Sequence, residues 1–359
     1  MMASVSIEDW TSGMRYAATQ GARVAWYTGH GLVMRRMVRR IAARHPEATP
    51  RVEPPSTPVP SMGRLLRDVA ALLARDYANA RAGLYPLPDG EEADFRQLVA
   101  TSRAFFADVP EVARRRREGA HQEIGATFEG RRPRYYMQNF HFQSGGWMTE
   151  ESARLYDMQV EVLFSGAAGA MRRQALVPVA NALKGRDQRA CLAADIACGT
   201  GRFTAELRGA YPRLPLFATD LSESYLNETR RHIGRVATLR PAVAKAEALP
   251  LADASLDVAT AIYLFHELPP KVRRQVAEEI ARVMKPGGTF VLVDSLQTGD
   301  APDYDGLLEL FPQLFHEPYY QGYLKEDLAR IFAQHGLVLK ESRNAFFSKV
   351  MEFRKERSS

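Results

Sequence analysis

Asp195, Gly199, Gly201 and Asp220 form the first group whose types and spacing could do chemistry. An apolar run, Cys191-Leu192-Ala193-Ala194, ends in Asp195, and Ile196-Ala197-Cys198-Gly199-Thr200-Gly201 follows as a turn. A second run, Leu216-Phe217-Ala218-Thr219, ends in Asp220. Glycine at such a turn supplies positive φ and lets a ligand lie on bare backbone, because no Cβ intervenes. A carboxylate about twenty residues on, closing the next strand, is placed to clasp both hydroxyls of a ribose. Counting on from Gly199 gives Gly201 and then Thr204, so the third glycine of a dinucleotide fingerprint is missing. The pattern describes a seat for a nucleoside without a pyrophosphate, with Asp195 orienting the turn and meeting the ligand's cationic end. A βα turn that binds nothing is the bland alternative, and it leaves both acids unexplained.

Further along, Leu256 to Ile262 reads as a buried strand. Tyr263-Leu264-Phe265-His266-Glu267-Leu268-Pro269-Pro270 leaves its carboxyl end, where open α/β sheets hold ligands. His266 is the candidate general base, since imidazole titrates near neutrality. The competing reading is a histidine that caps the next helix or bonds a carbonyl. No metal is expected: Pro270 and Tyr320 stand where a zinc helix begun by His266-Glu267 or His316-Glu317 needs a second histidine. Two segments, Arg134 to Trp147 and Phe311 to Tyr323, mix aromatics with amides and histidines. Tyr136, His141, Trp147, His316, Tyr319 and Tyr320 are the substrate-binding candidates in a pocket for a flat or apolar molecule. The same composition also suits a packed interface between a helical cap and a sheet.

These residues resemble the class I S-adenosylmethionine-dependent methyltransferases, in particular the branch that methylates quinones, sterols and other small apolar molecules. The likeness covers roughly residues 175 to 355. The family's first motif, acid-x-Gly-x-Gly-x-Gly, falls on Asp195, Ala197, Gly199 and Gly201, with alanine at the first glycine. The resemblance implies S-adenosylmethionine as cofactor, Asp220 and Leu221 at the ribose, the backbone of Ala246 and Glu247 at the adenine edge, and Tyr263 beside the cofactor. Lys245 stands where the family carries the acid that meets the adenine amino group. The implied fold is α/β, a Rossmann-like seven-stranded methyltransferase sheet in the order 3-2-1-4-5-7-6 with an additional mainly helical N-terminal domain. Methyl transfer from a sulfonium is an in-line displacement, so positioning of a small-molecule acceptor carries much of the catalysis, with proton removal where the acceptor needs it. Two other function classes compete. A nucleic-acid methyltransferase would show Asp or Asn before Pro-Pro and an aromatic after it, whereas Leu268 and Lys271 flank Pro269-Pro270. A catalytically inactive, cofactor-binding regulatory subunit is the reading that Lys245 encourages.

At 359 residues and 46% hydrophobic content the chain exceeds one Rossmann-type domain. Two units are expected: a helical cap over 1–150 with a Pro-rich connector at 45–63, and a methyltransferase domain over 151–359 with an aromatic insertion at 301–323. Helical spacing runs over 8–44, where Trp10, Met14, Val24, Leu32, Val33 and Met37 offer an apolar face, then over 65–80, 95–106 and 112–119. The two cysteines, Cys191 and Cys198, suit reduced thiols, and the N-terminus reads as neither signal peptide nor membrane span, so a cytoplasmic protein is expected. The net charge of +6 is uneven: residues 1–150 hold 21 Arg and 16 acids, a balance of +5 that leaves +1 for the rest. Acids near Arg114 to Arg117 favour a solvated helix face over a nucleic-acid surface, and a transient contact with a membrane surface stays open.

Overall fold

A computed structural model describes residues 7–88, 95–124, 132–234 and 238–357. Its centre is a seven-stranded sheet in the order β3-β2-β1-β4-β5-β7-β6. The strands are β1 (Ala193–Ile196), β2 (Leu216–Asp220), β3 (Leu239–Val243), β4 (Leu256–Ile262), β5 (Met284–Ser295), β6 (Leu337–Ala345) and β7 (Ser348–Lys355). The first five run parallel, and β7 pairs antiparallel with β5 and β6. Every residue of β1 is buried, because parallel strands with helices on both faces meet no water. Alternate residues feed two cores: Ile196, Ala259 and Phe290 pack with Val276, Ile280 and Phe332 on one face, and Val258 and Val291 with Leu176, Val179 and Leu207 on the other. Strand order reverses at β1, with β2 on one side and β4 on the other, and the crevice at their carboxyl ends is where such sheets bind ligands.

Helices Ile7–Arg44, Met62–Arg81 and Phe95–Glu118 build the N-terminal cap. The first helix buries only part of the expected face: Met14, Leu32 and Val33 are exposed, Val24 and Met37 are half-buried against the cores, the side chain of Trp10 lies outside the described residues, and Tyr16, Gln20, Tyr27 and His30 point inward. Polar partners decide this, since Tyr16 donates to Asp76 and His30 Nε2 meets Ser102 Oγ at 3.1 Å. The two short stretches expected at 95–106 and 112–119 are one helix with Pro110 inside it. Burial of Phe105 and Val109 against Tyr27, Met158 and Val162 outweighs the hydrogen bond lost at the proline. Arg114 and Arg115 are paired with Glu111, Glu118 and Glu123. The Pro-rich connector runs extended along helix Asp305–Leu314, where Glu53 N donates to Gln313 Oε1 at 2.8 Å and Ser56 N to Glu309 Oε2 at 2.6 Å.

Cap and sheet meet through buried ions. Asp76 is fully buried and accepts from Tyr16, Tyr85 and the Arg173 guanidinium, whose other end reaches Glu206. Helix Glu150–Leu163 starts at the expected boundary yet belongs to both halves: its Asp157 accepts from Thr200 Oγ1 and Arg202 Nε, each at 2.6 Å, in and after the glycine turn. Towards the C-terminus, two short helices, Tyr320–Leu324 and Leu328–Ala333, precede β6, which runs to Ala345. Asp327 divides the two by capping the second, accepting from Arg330 N at 2.9 Å. Both cysteines are free thiols. Among the described residues no helix is long and apolar enough to cross a membrane.

Candidate active site

Two glycines make the turn after β1, for different reasons. Gly199 has φ 58° and a Cβ there would meet nothing within 4 Å, so it leaves open the cavity it lines. Gly201 has φ 80°, and a Cβ there would lie 2.7 Å from Thr229 Cγ2, so it is the residue that lets the turn pack on helix Glu223–Ile233. Ala197 keeps φ 56° without being glycine, a left-handed conformation costing about 1–2 kcal/mol. Asp220 closes β2 and lines the same cavity; its Oδ2 accepts from Gly199 N at 2.9 Å and its Oδ1 from Ser222 N at 2.7 Å. Burial pushes this carboxyl up to about 6, against the pull of the amides of Ser222, Gly199 and Leu221. Each oxygen keeps a lone pair for a further donor.

Asp195 has another place. It is 1% exposed and lies off the cavity wall, with Oδ2 accepting from Thr204 Oγ1 at 2.6 Å and Oδ1 from Thr260 Oγ1 at 2.8 Å. The expected contact with a ligand's cationic end is therefore corrected: Asp195 ties β1 to β4 and to the helix after the turn. Burial pushes it up to about 6 as well, opposed by those two hydroxyls. Leu221, Ala246 and Tyr263 line the cavity beside Asp220, whereas Gly201 and Glu247 do not. Glu247 Oε1 accepts from Tyr135 OH at 2.9 Å, and its Oε2 is buried without a partner. Lys245 is exposed.

The cavity, about 770 Å³ including its open mouth, is lined by Gly199 and Asp220 and by a cage of Tyr136, Phe140, Trp147 and Tyr156. The Phe140 and Trp147 rings stack 4.4 Å apart, 7° from parallel. Glu267 stands in the cavity wall, and His266 lies behind it, 8% exposed and off the wall. His266 Nδ1 meets Asp294 Oδ1 at 2.6 Å, which places its proton there and leaves Nε2 3.6 Å from Glu267 Oε1. Asp294, fully buried at the end of β5, also accepts from Phe265 N at 2.7 Å. Burial works against the charged imidazole, but the Asp294 charge and hydrogen bond outweigh it, and His266 sits above its ordinary value. Glu267 is held well above the usual carboxyl range by burial and by Glu317, Asp294 and Asp220.

Of the acceptor-side residues, Tyr136 and Trp147 reach the cavity and the others do not. Tyr320 bonds Ser295 Oγ at 2.7 Å, Tyr319 packs near Phe140, and His316 stacks on His121 at 4.1 Å while its Nε2 meets Gln138 Oε1 at 2.7 Å. Burial and His121 lower His316 to about 4. His141 faces Glu317 with Nε2 2.6 Å from Oε1, and His141, Glu267 and Glu317 bring their ligand atoms within 4.8 Å of one another. The two aromatic segments do cross, His141 N donating to His316 O at 3.1 Å. Tyr156, Glu267, Asp294 and Glu317 were missed by the sequence reading. Asp294 carried the signal already used for Asp195 and Asp220, an acid closing an apolar strand, but Tyr156 and Glu317 carried none.

Residues 193–288 match a family model described as "Methyltransferase domain". The O-methyltransferase cnsE of Penicillium expansum is 32% identical over 146 residues, 40% of this chain and 50% of that protein. The demethylmenaquinone methyltransferase of Deinococcus radiodurans is 31% identical over 140 residues, 39% of this chain and 55% of that one. Residues 193–288 therefore form a methyltransferase domain. The chain spans about half the length of those two relatives. A solved magnesium protoporphyrin IX methyltransferase from Synechocystis PCC 6803, with S-adenosylhomocysteine bound, aligns at 14% identity with a TM-score of 0.42 over 53% of this chain and 85% of that one. S-adenosylmethionine, the cofactor of such domains, suits this site on three local features: the open space above Gly199, the free lone pairs of Asp220, and Thr204 where a dinucleotide fingerprint has its third glycine.

Proposed function

We propose that this protein transfers a methyl group from S-adenosylmethionine to a small, largely apolar or aromatic acceptor such as a quinone precursor, an isoprenoid or sterol, a lipid or a polyketide-like phenol. One observation carries the reading: a single cavity is lined both by Gly199 and Asp220 and by the stacked Phe140 and Trp147 together with Glu267. S-adenosylmethionine would supply an electrophilic methyl on a sulfonium. Asp220 and Leu221 would hold its ribose, Ala246 would border the adenine, and Ala197, Gly199 and Tyr263 would shape the channel. The aromatic cage excludes water and orients a flat acceptor, which is most of what an in-line displacement asks of a protein. The acceptor's proton leaves past Glu267 towards His266, whose imidazole Asp294 orients and stabilises when charged. The identity of the acceptor is tested by incubating cell extract with enzyme and methyl-labelled cofactor and finding by mass spectrometry which small molecule gains the label. Label appearing only in RNA or DNA would overturn the reading.

Cofactor binding should depend on pH through Asp220. The carboxyl must be ionised to accept ribose hydroxyls, and its value of about 6 means that the ionised fraction falls about tenfold per pH unit well below that point. Calorimetric titration is expected to give an S-adenosylmethionine Kd that weakens about fivefold from pH 6 to pH 5 and levels off above pH 7. Asp220→Asn should bind more weakly by about 1–3 kcal/mol and flatten that dependence, although Asp195 with its similar value remains in place. An unchanged pH profile in the variant would move the ribose elsewhere.

A further inference from the structure

The two His-Glu pairs that fail as zinc helices each send their glutamate to one point. Glu267 comes from the segment after β4, Glu317 from the loop between helices Asp305–Leu314 and Tyr320–Leu324, and His141 from the aromatic segment of the cap. Their ligand atoms lie within 4.8 Å of one another, next to the aromatic end of the cavity that Glu267 lines. Glu317 is the telling residue. It is 4% exposed, its Oε1 lies 2.6 Å from His141 Nε2 without the alignment of a hydrogen bond, and its Oε2 has no hydrogen-bond partner. A buried carboxylate with unmet lone pairs is costly unless something positive joins it. The charges around it do not supply that. Asp294 adds a third carboxylate and is taken up by His266, while Arg273 is tied to Phe265 O, Tyr319 O and Glu326.

We propose that His141, Glu267 and Glu317 bind one divalent first-row transition cation, of the Mn²⁺, Fe²⁺, Co²⁺ or Zn²⁺ type, at the acceptor end of the cavity. An imidazole nitrogen with two carboxylates suits these ions, whereas Mg²⁺ and Ca²⁺ favour all-oxygen sets. Three protein donors leave coordination positions open, as in catalytic sites and unlike closed structural ones. Glu267 belongs both to this cluster and to the cavity wall, so a cation held there would take an oxygen of the acceptor. This narrows the substrate class to oxygen-bearing molecules, phenols and hydroxy or keto acids before hydrocarbons, and it rests on the methyltransferase reading above.

The test is a titration of Co²⁺ into the chelator-treated full-length protein, followed by calorimetry and by the visible d–d absorption of the bound ion. Binding of one Co²⁺ per chain with a Kd on the order of micromolar or tighter is expected. Glu317→Gln should weaken it at least about tenfold and change the d–d bands. His141→Ala, at a partly exposed side chain that threatens folding less, should do the same. No stoichiometric binding, or wild-type affinity and spectra in both variants, would overturn the proposal. S-adenosylmethionine binding measured on the same metal-free preparation separates the two failures. If the cofactor binds and Co²⁺ does not, the cation site alone is lost; if neither binds, the methyltransferase reading falls with it.

Discussion

Asp76→Ala is expected to lower the free energy of unfolding by about 3–5 kcal/mol, the largest stability effect of any single residue considered. The carboxylate is fully buried and accepts from two tyrosines and a guanidinium, drawing together helices Ile7–Arg44, Met62–Arg81 and Ala168–Arg173. Truncation takes a buried carboxylate from Arg173, itself 3% exposed, strands the hydroxyl of Tyr16 and leaves that of Tyr85 with the longer bond to the backbone carbonyl of residue 76, at 3.4 Å. Removing one partner of a buried pair costs far more than the pair is worth against an apolar replacement. Asp76→Leu combined with Arg173→Met should therefore cost less than the sum of the single variants, a coupling that a double-mutant cycle reads directly. Urea unfolding followed by far-ultraviolet dichroism and by tyrosine and tryptophan fluorescence checks both statements. One coincident transition is expected, because this network and the Asp157 contacts join cap and sheet; two separated transitions would mean that the halves fold apart.

His266→Ala should lower turnover by about 10²–10⁴ while leaving the affinity for S-adenosylmethionine nearly unchanged. The ring is off the cofactor end of the cavity, so binding there has no reason to respond. His266→Asn sharpens the result. Its side-chain NH₂ replaces Nδ1–H towards Asp294 and keeps that hydrogen bond, but nothing replaces Nε2 towards Glu267. If His266 moves the proton, both variants lose turnover and the asparagine form keeps the wild-type melting temperature. If His266 only braces Asp294, the asparagine form works normally, and steady-state kinetics beside a thermal melt distinguish the two. The bland alternative from the sequence, a histidine that caps the next helix, is not what the structure holds: Pro269 and Pro270 open that helix and the imidazole bonds a carboxylate on β5.

Much of the cofactor half was legible because it is local. A glycine turn between an apolar strand and a helix, and an acid one strand later, are facts of short-range backbone geometry, and Gly199 and Asp220 fall where that geometry puts them. Asp195 shows the limit. Its spacing was right, but whether a carboxylate at a strand end faces a ligand or the protein depends on what the next strand offers, and Thr260 on β4 together with Thr204 claimed it. The first helix shows the same limit differently, since Met14, Leu32 and Val33 stay outside while Gln20 and His30 lie inside.

What the amino-acid order settled by itself was the alternation of strands and helices and the glycine turn between two strand-end acids, because period and turn chemistry act over a few residues at a time, whereas the strand order followed from the family resemblance. The acceptor half was decided only by the tertiary structure. Tyr136, Tyr156, Glu267 and Glu317 come from four separate stretches of chain, and no short-range rule places a side chain against others that lie from 20 to more than 100 residues away. Folding the cap over the carboxyl ends of the strands brought them together, and it turned two unremarkable His-Glu pairs into neighbours across one buried point.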